Sequence, residues 1–321
     1  MGVRLLRAAD LALVCPMEDA IEAVAQGFAS LSTGQATVPV RVSVPLIDGV
    51  ALAMPAALAG APSYCVKVVA VAPGNARLGR PTVTATVLLG DAATGELLAV
   101  VDGTALTALR TGAAGGLAAR LLSRTGASRA ALFGAGAQAR SQLLALAAVR
   151  DIREVCVVTR DPAHAAALRE WAAREPTLAG VALLPSTAQA AVASADIVVT
   201  ATTSATPVFD GRWLREGVHV TAVGAFTPET RELDDETLRA ARIVVDQRAA
   251  ALAEAGELRG RTERDVIELG EIVAERAPGR STDKERTVFK SVGNAIQDLV
   301  VAARAFERAR ERGVGEEIAF P

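Results

Sequence analysis

Residues 129–139, RAALFGAGAQA, decide the fold of this chain. Ala130–Phe133 is a short apolar run typical of a buried parallel strand, and Arg140–Val149 is predicted to form a helix. Between them lies a GxGxxA motif that starts at Gly134. Its first glycine permits a tight turn, its second lets the backbone approach a pyrophosphate, and its small third residue lets the helix pack closely. A second predicted strand, Glu154–Thr159, follows at the spacing of a βαβ unit, which favours dinucleotide binding over an ordinary glycine turn.

The end of that second strand bears on the choice of cofactor. It reads Val158-Thr159-Arg160-Asp161. A hydroxyl followed by a guanidinium suits the 2′-phosphate of NADPH, whereas an acidic residue would bind the ribose hydroxyls of NAD. Asp161 either caps the helix that begins at Pro162, which we favour, or turns toward the ribose. The sequence therefore favours NADPH, with NADH as the alternative.

Composition excludes several classes of protein. The chain has 321 residues, 51% of them hydrophobic, which is enough for one large core or two domains. A net charge of −2 disfavours nucleic acid or an anionic membrane as the main partner. Three cysteines without metal-ligand spacing and two histidines predict no metal site and a reduced, cytoplasmic setting. The N-terminus does not resemble a signal peptide, and the uncharged stretch Gly49–Val66 has the prolines and glycines of strand and turn, not of a membrane span.

The order of the predicted elements indicates an α/β fold with two domains. From Ser128 to about Asp246, strands and helices alternate in the doubly wound manner of a Rossmann domain. The predicted strands there are Ala130–Phe133, Glu154–Thr159, Val181–Leu184, Asp196–Thr200, His219–Val223 and Arg242–Asp246, and the helices are Arg140–Val149, Ala163–Arg174 and Ala188–Ala193. The preceding α+β part has predicted helices Met17–Leu31 and Thr104–Leu122 and strands Val3–Leu6, Thr37–Val44, Gly49–Met54, Cys65–Val71, Val83–Leu89 and Leu97–Asp102. After Asp246 the chain is predicted to be helical, and a final helix, Val288–Arg312, returns to the first domain, so that residues 1–123 and 302–321 form one domain and 124–301 the other.

Three basic residues stand out in apolar surroundings. Only three of the 34 basic residues are lysines, and one of them, Lys67, lies in the apolar strand Cys65–Val71. Because that strand has apolar residues on both faces, Lys67 is poorly explained by solvent exposure, and a buried charge needs a partner or a function. Arg41 lies in a predicted strand, where its charge is explained equally well by a solvent-exposed face of the sheet and by a functional role. Arg110, in the helix Thr104–Leu122, is either solvent-facing or functional.

Short motifs follow one another along nearly the whole chain. In the first domain they are Pro39-Val40-Arg41, a predicted turn at Met54-Pro55, Val66-Lys67-Val68, Asp102-Gly103 and Thr107-Ala108-x-Arg110-Thr111-Gly112-Ala113. In the second part they are the Gly134–Ala139 loop, Val223-Gly224-Ala225, Arg231–Asp234, Val244–Asp246, Gly256–Leu258 and Phe289–Asp298. In this order and at this spacing, the motifs resemble those of the ornithine cyclodeaminase/μ-crystallin family.

The resemblance implies a homodimer whose first domain binds substrate and mediates dimerisation. It also implies that Arg41 and Arg110 hold a substrate carboxylate and that Lys67 lies beside the reacting carbon. Elementary chemistry agrees, because guanidinium groups suit a carboxylate and a desolvated lysine can exchange protons near C2 of an imino or amino acid. Lys290 and Ser291, at the predicted start of the last helix, are either a cofactor or hinge element or an ordinary helix N-terminus.

One departure from the family narrows the reaction. The resemblance implies an aspartate just after Gly224-Ala225, as in cyclodeaminases and archaeal alanine dehydrogenases, and in the former it engages the substrate's distal amine. This chain has Phe226 there, which cannot accept a proton from an ammonium group. An apolar ring instead suits a cyclic substrate without a distal charge. The segments Ala72–Asn75 and Val223–Pro228 most resemble the bacterial Δ1-pyrroline-2-carboxylate reductases of the family.

These observations predict an NADPH-dependent ketimine reductase that converts Δ1-pyrroline-2-carboxylate to L-proline, with Δ1-piperideine-2-carboxylate, which gives L-pipecolate, as a second candidate substrate. The alternatives are an ornithine cyclodeaminase or alanine dehydrogenase, and a non-catalytic NADP-dependent ligand-binding protein like μ-crystallin. The predicted catalytic residue is Lys67, and the predicted substrate-binding residues are Arg41, Met54, Arg110 and Phe226. The predicted cofactor-binding residues are Thr111, Gly134, Gly136, Ala137, Gln138, Thr159, Arg160, Thr202, Thr203, Ser204, Val223, Gly224, Lys290, Ser291 and Gly293.

Overall fold

The computed structural model describes residues 2–319, apart from the side chain of Ala76, and divides into two compact units. The first unit contains the chain up to Arg110 and again from Asn294 onward, and the second contains Thr111–Gly293. The predicted domain boundaries, 123/124 and 301/302, lie later in the chain than these unit boundaries. The later boundary moves because the final helix belongs to the first unit from its first residue.

Three properties concern both units. Among residues 2–319, no helix is both long and apolar enough to cross a bilayer. The same residues contain no group of three or more His, Cys, Asp or Glu side chains placed to hold a metal ion. Cys15, Cys65 and Cys156 are all free thiols.

The first unit is organised around a mixed eight-stranded sheet. Its strands are β1 (Gly2–Leu6), β2 (Ala36–Thr37), β3 (Val42–Leu46), β4 (Gly49–Leu58), β5 (Ser63–Val71), β6 (Val83–Asp91), β7 (Leu97–Asp102) and β16 (Glu316–Ala319). They lie in the order β16-β1-β7-β6-β5-β4-β2, and β3 also pairs with β4. The helices are α1 (Ala8–Val14), α2 (Met17–Ser32) and α10 (Ala295–Arg312), while α3 (Gly103–Leu122) begins here and continues into the second unit.

Helix α10 packs along this sheet because one side of the helix is apolar. Ile296, Leu299 and Ala302 on that side are buried. The helix contacts α2 and strands β4, β5 and β6, and it ends at Gly313, which has a left-handed φ of 64°. The start of α10 is thereby held against the strand that carries Lys67.

Alternation along the central strands gives the sheet one buried and one exposed face. A buried row across four strands, each member at most 4% exposed, consists of Met54, Lys67, Val87 and Val101. Lys67 therefore lies among apolar side chains, as its sequence context predicted. The opposite face is exposed and also apolar, with Val42, Val44, Val68 and Leu88.

Two local predictions in this unit are wrong. The predicted strand Thr37–Val44 is two short strands, β2 and β3, separated by residues 38–41, so Arg41 precedes a strand instead of lying in one. The predicted turn at Met54 and Pro55 lies inside β4, in continuous pairing with β5. A proline is tolerated at this point because residues 38–41 leave the other edge of β4 without a paired strand.

The second unit is a parallel eight-stranded sheet; its doubly wound type was predicted, whereas two of its strands were not. Its strands are β8 (Arg129–Phe133), β9 (Glu154–Val158), β10 (Ala182–Pro185), β11 (Ile197–Thr200), β12 (His219–Ala222), β13 (Ala241–Val245), β14 (Ile267–Glu268) and β15 (Arg286–Lys290). The helices are α4 (Ala137–Val149), α5 (Pro162–Ala172), α6 (Ala188–Ser194), α7 (Asp235–Arg239), α8 (Arg248–Glu254) and α9 (Leu269–Val273). The strand order is β10-β9-β8-β11-β12-β15-β13-β14. Because the order reverses between β8 and β11, the loops after these strands lie at the topological switch point.

The predicted final helix Val288–Arg312 is wrong in its first part. Arg286–Lys290 is strand β15, which lies between β12 and β13, and α10 begins only at Ala295. Thr287, Val288 and Phe289 are buried, and periodicity alone cannot distinguish so short a buried run from part of a helix. The segment after Asp246, predicted to be helical, likewise contains β14 and β15 besides short helices.

Candidate active site

Lys67, Arg110 and Asp298 form a buried charged cluster in the first unit. Lys67 lies on β5, Arg110 on α3, and Asp298 near the start of α10. The Lys67 Nζ donates to both carboxylate oxygens of Asp298, at 3.2 and 3.3 Å, and the Arg110 Nε lies 3.3 Å from Asp298 Oδ1. The three side chains are at most 8% exposed. Because two cations share one carboxylate, the cluster has an excess of positive charge that suits an anionic ligand.

Burial brings the pKa of Lys67 down toward neutral pH. Removal from water is the largest influence on its pKa and lowers it, the Asp298 carboxylate raises it, and the positive charges of Arg110 and Arg41 lower it. Together these influences give Lys67 a pKa of about 8. With a pKa of about 8, the ammonium form still predominates at neutral pH, yet it gives up its proton more easily than an exposed lysine.

Asp298 of this cluster and the adjacent residue Gln297 were not among the predicted site residues. The Gln297 Oε1 accepts a hydrogen bond from Arg110 Nη1 and thereby orients the guanidinium. Asp298 is a single acid in the mostly apolar stretch Ala295–Val301. A single charged residue among mostly apolar neighbours is the same signal that indicated Lys67. It could have indicated Asp298 too, because a buried lysine requires a buried acid.

Arg41 and Met54 lie near the same lysine. Arg41 is half-buried just before β3, close enough to Lys67 for its charge to lower the lysine pKa. Met54 is 4% exposed and pairs with Lys67 across β4 and β5. The first unit thus brings the predicted cations Arg41, Lys67 and Arg110 together, and their roles toward a substrate stay predictions.

The glycine-rich turn after β8 has the geometry of a phosphate-binding loop. Gly134 has a φ of 102°, and a Cβ there would lie 2.5 Å from the carbonyl oxygen of Ala201, so only glycine fits. Gly136 is the N-cap of α4 and has open space where a Cβ would project, which leaves its backbone approachable. Ala137 and Gln138 form the first turn, whose backbone amides have no partner within the helix. The turn therefore fits the pyrophosphate of a dinucleotide.

A buried carboxylate, Glu232, joins the ends of the central strands β11 and β12. Its Oε1 accepts from the amide and the hydroxyl of Thr202, both at 2.7 Å. Its Oε2 accepts from the Thr200 hydroxyl at 3.0 Å and from the Gly224 amide at 2.7 Å. One acid thus fixes two loops in which we predicted cofactor-binding residues, and the sequence indicated it only as part of a motif. The other predicted cofactor residues of these loops are Thr203, Ser204 and Val223.

Lys290 and Glu257 extend this network to β15. The fully buried Lys290 Nζ donates to the Ala225 carbonyl at 2.6 Å and to Glu257 Oε1 at 3.3 Å. The same Glu257 oxygen accepts from the Glu232 amide at 2.8 Å. Lys290 therefore ends a strand and supports the loop after β12, which corrects its predicted setting at the start of a helix.

Ser291 and Gly293 lie in the segment between β15 and α10, not in a helix as predicted. The Ser291 hydroxyl donates to Asp246 Oδ2 at 2.8 Å, and the Gly293 amide donates to the same oxygen at 2.6 Å. Asp246 follows β13, so this segment is fastened to the sheet of the second unit. Their predicted contacts with a cofactor stay predictions.

Thr111 and Phe226 also belong to the second unit. Thr111 on α3 is 6% exposed, and its carbonyl accepts from the side-chain amide of Gln142 at 2.9 Å. Phe226, in the loop after β12, is partly buried against the hydrophobic core of that unit. The predicted contact of Phe226 with a substrate ring stays a prediction.

The end of β9 leaves a guanidinium accessible and an acid engaged. Asp161 accepts from the Ala163 amide at 2.9 Å and caps α5, as the sequence indicated. The Thr159 hydroxyl donates to the Asp161 carbonyl at 2.9 Å. Arg160 is exposed. The Asp161 carboxylate is thus engaged by the start of α5, whereas the Arg160 side chain is exposed.

Known proteins resemble this chain along nearly all of its length. A sequence profile of the ornithine cyclodeaminase/mu-crystallin family matches residues 4–313. Δ1-pyrroline-2-carboxylate reductase from Bacillus cereus strain ATCC 10987 is 38% identical over 314 residues, which cover 95% of this chain and 96% of that protein.

Solved structures give the same result. The Thermococcus litoralis Δ1-pyrroline-2-carboxylate reductase in complex with NADH and L-proline has a TM-score of 0.92 at 38% identity, covering 98% of this chain and 100% of that one. An archaeal alanine dehydrogenase dimer with bound NAD has a TM-score of 0.92 at 36% identity, with 100% of both chains covered. The extent of these matches, together with the glycine loop and the buried lysine cluster, shows that the chain belongs to the ornithine cyclodeaminase/mu-crystallin family.

Proposed function

We propose that this protein is a ketimine reductase that reduces Δ1-pyrroline-2-carboxylate to L-proline, with Δ1-piperideine-2-carboxylate as a second substrate. The observation that carries the proposal is the buried cluster of Lys67, Asp298 and Arg110. The cluster combines a group that binds a carboxylate with a lysine that can give up a proton, and an imino acid reduced at C2 needs both. Relatives of similar sequence and fold are named as oxidoreductases of this type.

Different residues bind the substrate and transfer the proton. Arg41 and Arg110 bind the substrate carboxylate, and Gln297 keeps the Arg110 guanidinium oriented. Lys67 donates its proton to the imine nitrogen, which makes C2 of the resulting iminium electrophilic. Asp298 holds the lysine in place through both carboxylate oxygens. When bound, a reduced nicotinamide supplies the hydride that C2 accepts.

The second unit fits such a cofactor, and we propose that NADPH is preferred over NADH. The open space at Gly136 and the free amides of the α4 N-terminus support dinucleotide binding. Exposed Arg160 supports the preference for a 2′-phosphate, because Asp161 is engaged as a helix cap. The solved relatives were obtained with NADH and NAD, so the preference is a property to be measured on this chain.

The substrate ring is inferred from Phe226. A side chain without charge cannot pair with the distal ammonium of ornithine, whereas it can pack on a ring without a second charge. Phe226 adjoins Ala225, whose carbonyl is fixed by Lys290, so its backbone position is defined. Cyclodeamination is therefore disfavoured.

We further propose a cytoplasmic homodimer. The exposed face of the first sheet carries several apolar side chains, and a second copy of the chain is the occupant that would cover them. One solved relative is a dimer. Three free thiols, two of them buried, support a reducing compartment.

An initial-rate assay with purified protein tests the reaction. NADPH or NADH is supplied with each cyclic imine at several pH values, and consumption of the reduced cofactor with formation of the cyclic amino acid is expected. Arg41→Ala should mainly raise KM for the imine, and Lys67→Ala should mainly lower kcat.

The other functions give different results in the same assay. Absence of turnover with both imines contradicts the proposal. Formation of proline and ammonia from ornithine without added NADPH would identify a cyclodeaminase, and reduction of pyruvate with ammonia would identify an alanine dehydrogenase. Tight ligand capture without any turnover would identify a binding protein.

A further inference from the structure

Asn294 has a buried side chain whose hydrogen-bonding groups are both unused. The residue is 3% exposed, and neither Oδ1 nor Nδ2 has a hydrogen-bond partner among residues 2–319. It occupies the N-cap of α10 but makes no capping hydrogen bond, although asparagine at this position ordinarily accepts one from the first turn. Since a buried amide without partners is unfavourable, this side chain is expected to have a partner that comes from outside the chain.

A second unpartnered amide lies one turn further along the same helix. Gln297 is fully buried, and its Oε1 is occupied by Arg110. Its Nε2 has no hydrogen-bond partner in the part of the chain that the structure describes. Residues three and four apart share one face of a helix, so Asn294 lies on the side of α10 that carries Gln297 and Asp298.

The start of α10 lies directly beside the lysine cluster. The Cys65 Sγ contacts the carbonyl oxygen of Ala295 at 3.7 Å, and two residues along β5 the Lys67 Nζ contacts Asp298. The unused amides of Asn294 and Gln297 therefore border the groups that we assign to carboxylate binding and proton transfer. All of these residues belong to the first unit.

We propose that Asn294 and Gln297 bind the imino acid directly, and that Asn294 recognises its nitrogen and its carboxylate together. A cyclic 2-iminium carboxylate presents one N–H donor beside a carboxylate acceptor, and this N–H is shared between the Lys67 amine that supplied its proton and the Asn294 oxygen. A carboxamide presents the complementary pair, with Oδ1 as acceptor and Nδ2 as donor. The Gln297 Nε2 adds a donor for the carboxylate beside Arg110. This assignment rests on the proposed function. It explains how the protein would select a ring that contains an N–H group.

Two planar probes test whether Asn294 reads the N–H group. Pyrrole-2-carboxylate has an N–H beside its carboxylate, whereas furan-2-carboxylate has the same shape with an oxygen there. Their affinities for the protein saturated with oxidised cofactor are measured by calorimetry, together with turnover of the imines. The wild type is expected to prefer the pyrrole by roughly tenfold or more, because the furan leaves a buried acceptor unpaired.

Two variants separate recognition from helix capping. Serine caps helices as well as asparagine does but is too short to pair with both groups, so Asn294→Ser should keep the thermal unfolding temperature and lose most of the preference. Asn294→Asp keeps the acceptor and loses the donor, so it should keep the preference for pyrrole while binding both probes more weakly.

The outcomes distinguish this inference from the proposed reaction. An unchanged pyrrole-to-furan ratio in Asn294→Ser, or no preference in the wild type, overturns the assignment even if the imines are reduced. A preference that is present in the wild type and lost in the serine variant supports the assignment, and if neither imine is then reduced, only the proposed reaction fails.

Discussion

The pKa of Lys67 can be changed without replacing the lysine, by substituting its partner Asp298. Its carboxylate raises the pKa of Lys67 against the larger lowering caused by burial, which leaves that pKa at about 8. Asparagine supplies no charge, so Asp298→Asn should lower the lysine pKa. Because the ammonium form is the acid, imine reduction should fall as pH rises through the lysine pKa. The falling limb of kcat/KM against pH should therefore move to lower pH in the variant.

Asp151→Asn serves as the control for that profile, because Asp151 is a surface acid that is 79% exposed. It should leave the limb unchanged. If the limb also stays in place in Asp298→Asn, the titrating group is the iminium of the substrate and the role of Lys67 as the acid is contradicted.

Arg160 is predicted to set the preference between the two reduced cofactors. We expect Arg160→Ala to reduce the preference for NADPH by roughly tenfold, since an exposed charge-assisted hydrogen bond is partly screened by water. The measurement is titration of NADPH and NADH with wild type and variant. Arg153→Ala, which removes an exposed arginine at the other end of β9, is the matched control. Equal affinities of the wild type for NADPH and NADH would show that Arg160 points to solvent and does not bind the 2′-phosphate.

The sequence predicts a buried functional residue where its immediate neighbours in the chain are of an unexpected type. Lys67 stood out because its neighbours along the strand are apolar, and it is buried as expected. Its partner Asp298 is 231 positions away, and no local pattern connects the two. The same applies to Asn294, whose unused amide becomes visible only once the helix start is seen to be buried.

Among the elements, the glycine loop was predictable because its constraints are local, whereas β15 was not. A tight turn, a helix start and a preceding buried strand all lie within residues 129–149, and the structure confirms each. Strand β15 pairs with β12 and β13, which are both distant from it in the sequence. Its sequence, RTVFK, is too short to show a strand or helix periodicity, so tertiary pairing decides.

Glu232 connects the loops after β11 and β12, so we expect its substitution to disturb both loops. Glutamine would place an amide donor where four donors now share two acceptor oxygens. We expect Glu232→Gln to destabilise folding by about 1–3 kcal/mol and to raise KM for the cofactor more than KM for the imine. Thermal unfolding and initial rates measure the two effects.

Glu229→Gln is the matched control for this variant, because Glu229 is exposed in the same segment of chain. It should change neither quantity. A loss of stability in Glu232→Gln with an unchanged KM for the cofactor would show that Glu232 supports the fold alone and does not position the loops.

For the whole molecule, the exposed apolar face of the first sheet predicts self-association. Val68 at its centre is 48% exposed, and a charge there should be unfavourable in a buried interface. Sedimentation should give about twice the chain mass of 33.0 kDa for the wild type and the single-chain mass for Val68→Glu. Leu184→Glu, at a residue 45% exposed in the second unit, should remain dimeric. A dimeric Val68→Glu would place the interface elsewhere.

The central claim is that hydride passes from a reduced nicotinamide to C2 of a cyclic imino acid. Its most direct test is a single turnover with NADPH that carries deuterium at the transferable C4 position, followed by NMR of the product. We predict L-proline with deuterium at C2 from Δ1-pyrroline-2-carboxylate, and much slower transfer in Lys67→Ala. Proline without deuterium at C2, or no product while the cofactor remains reduced, would contradict the claim.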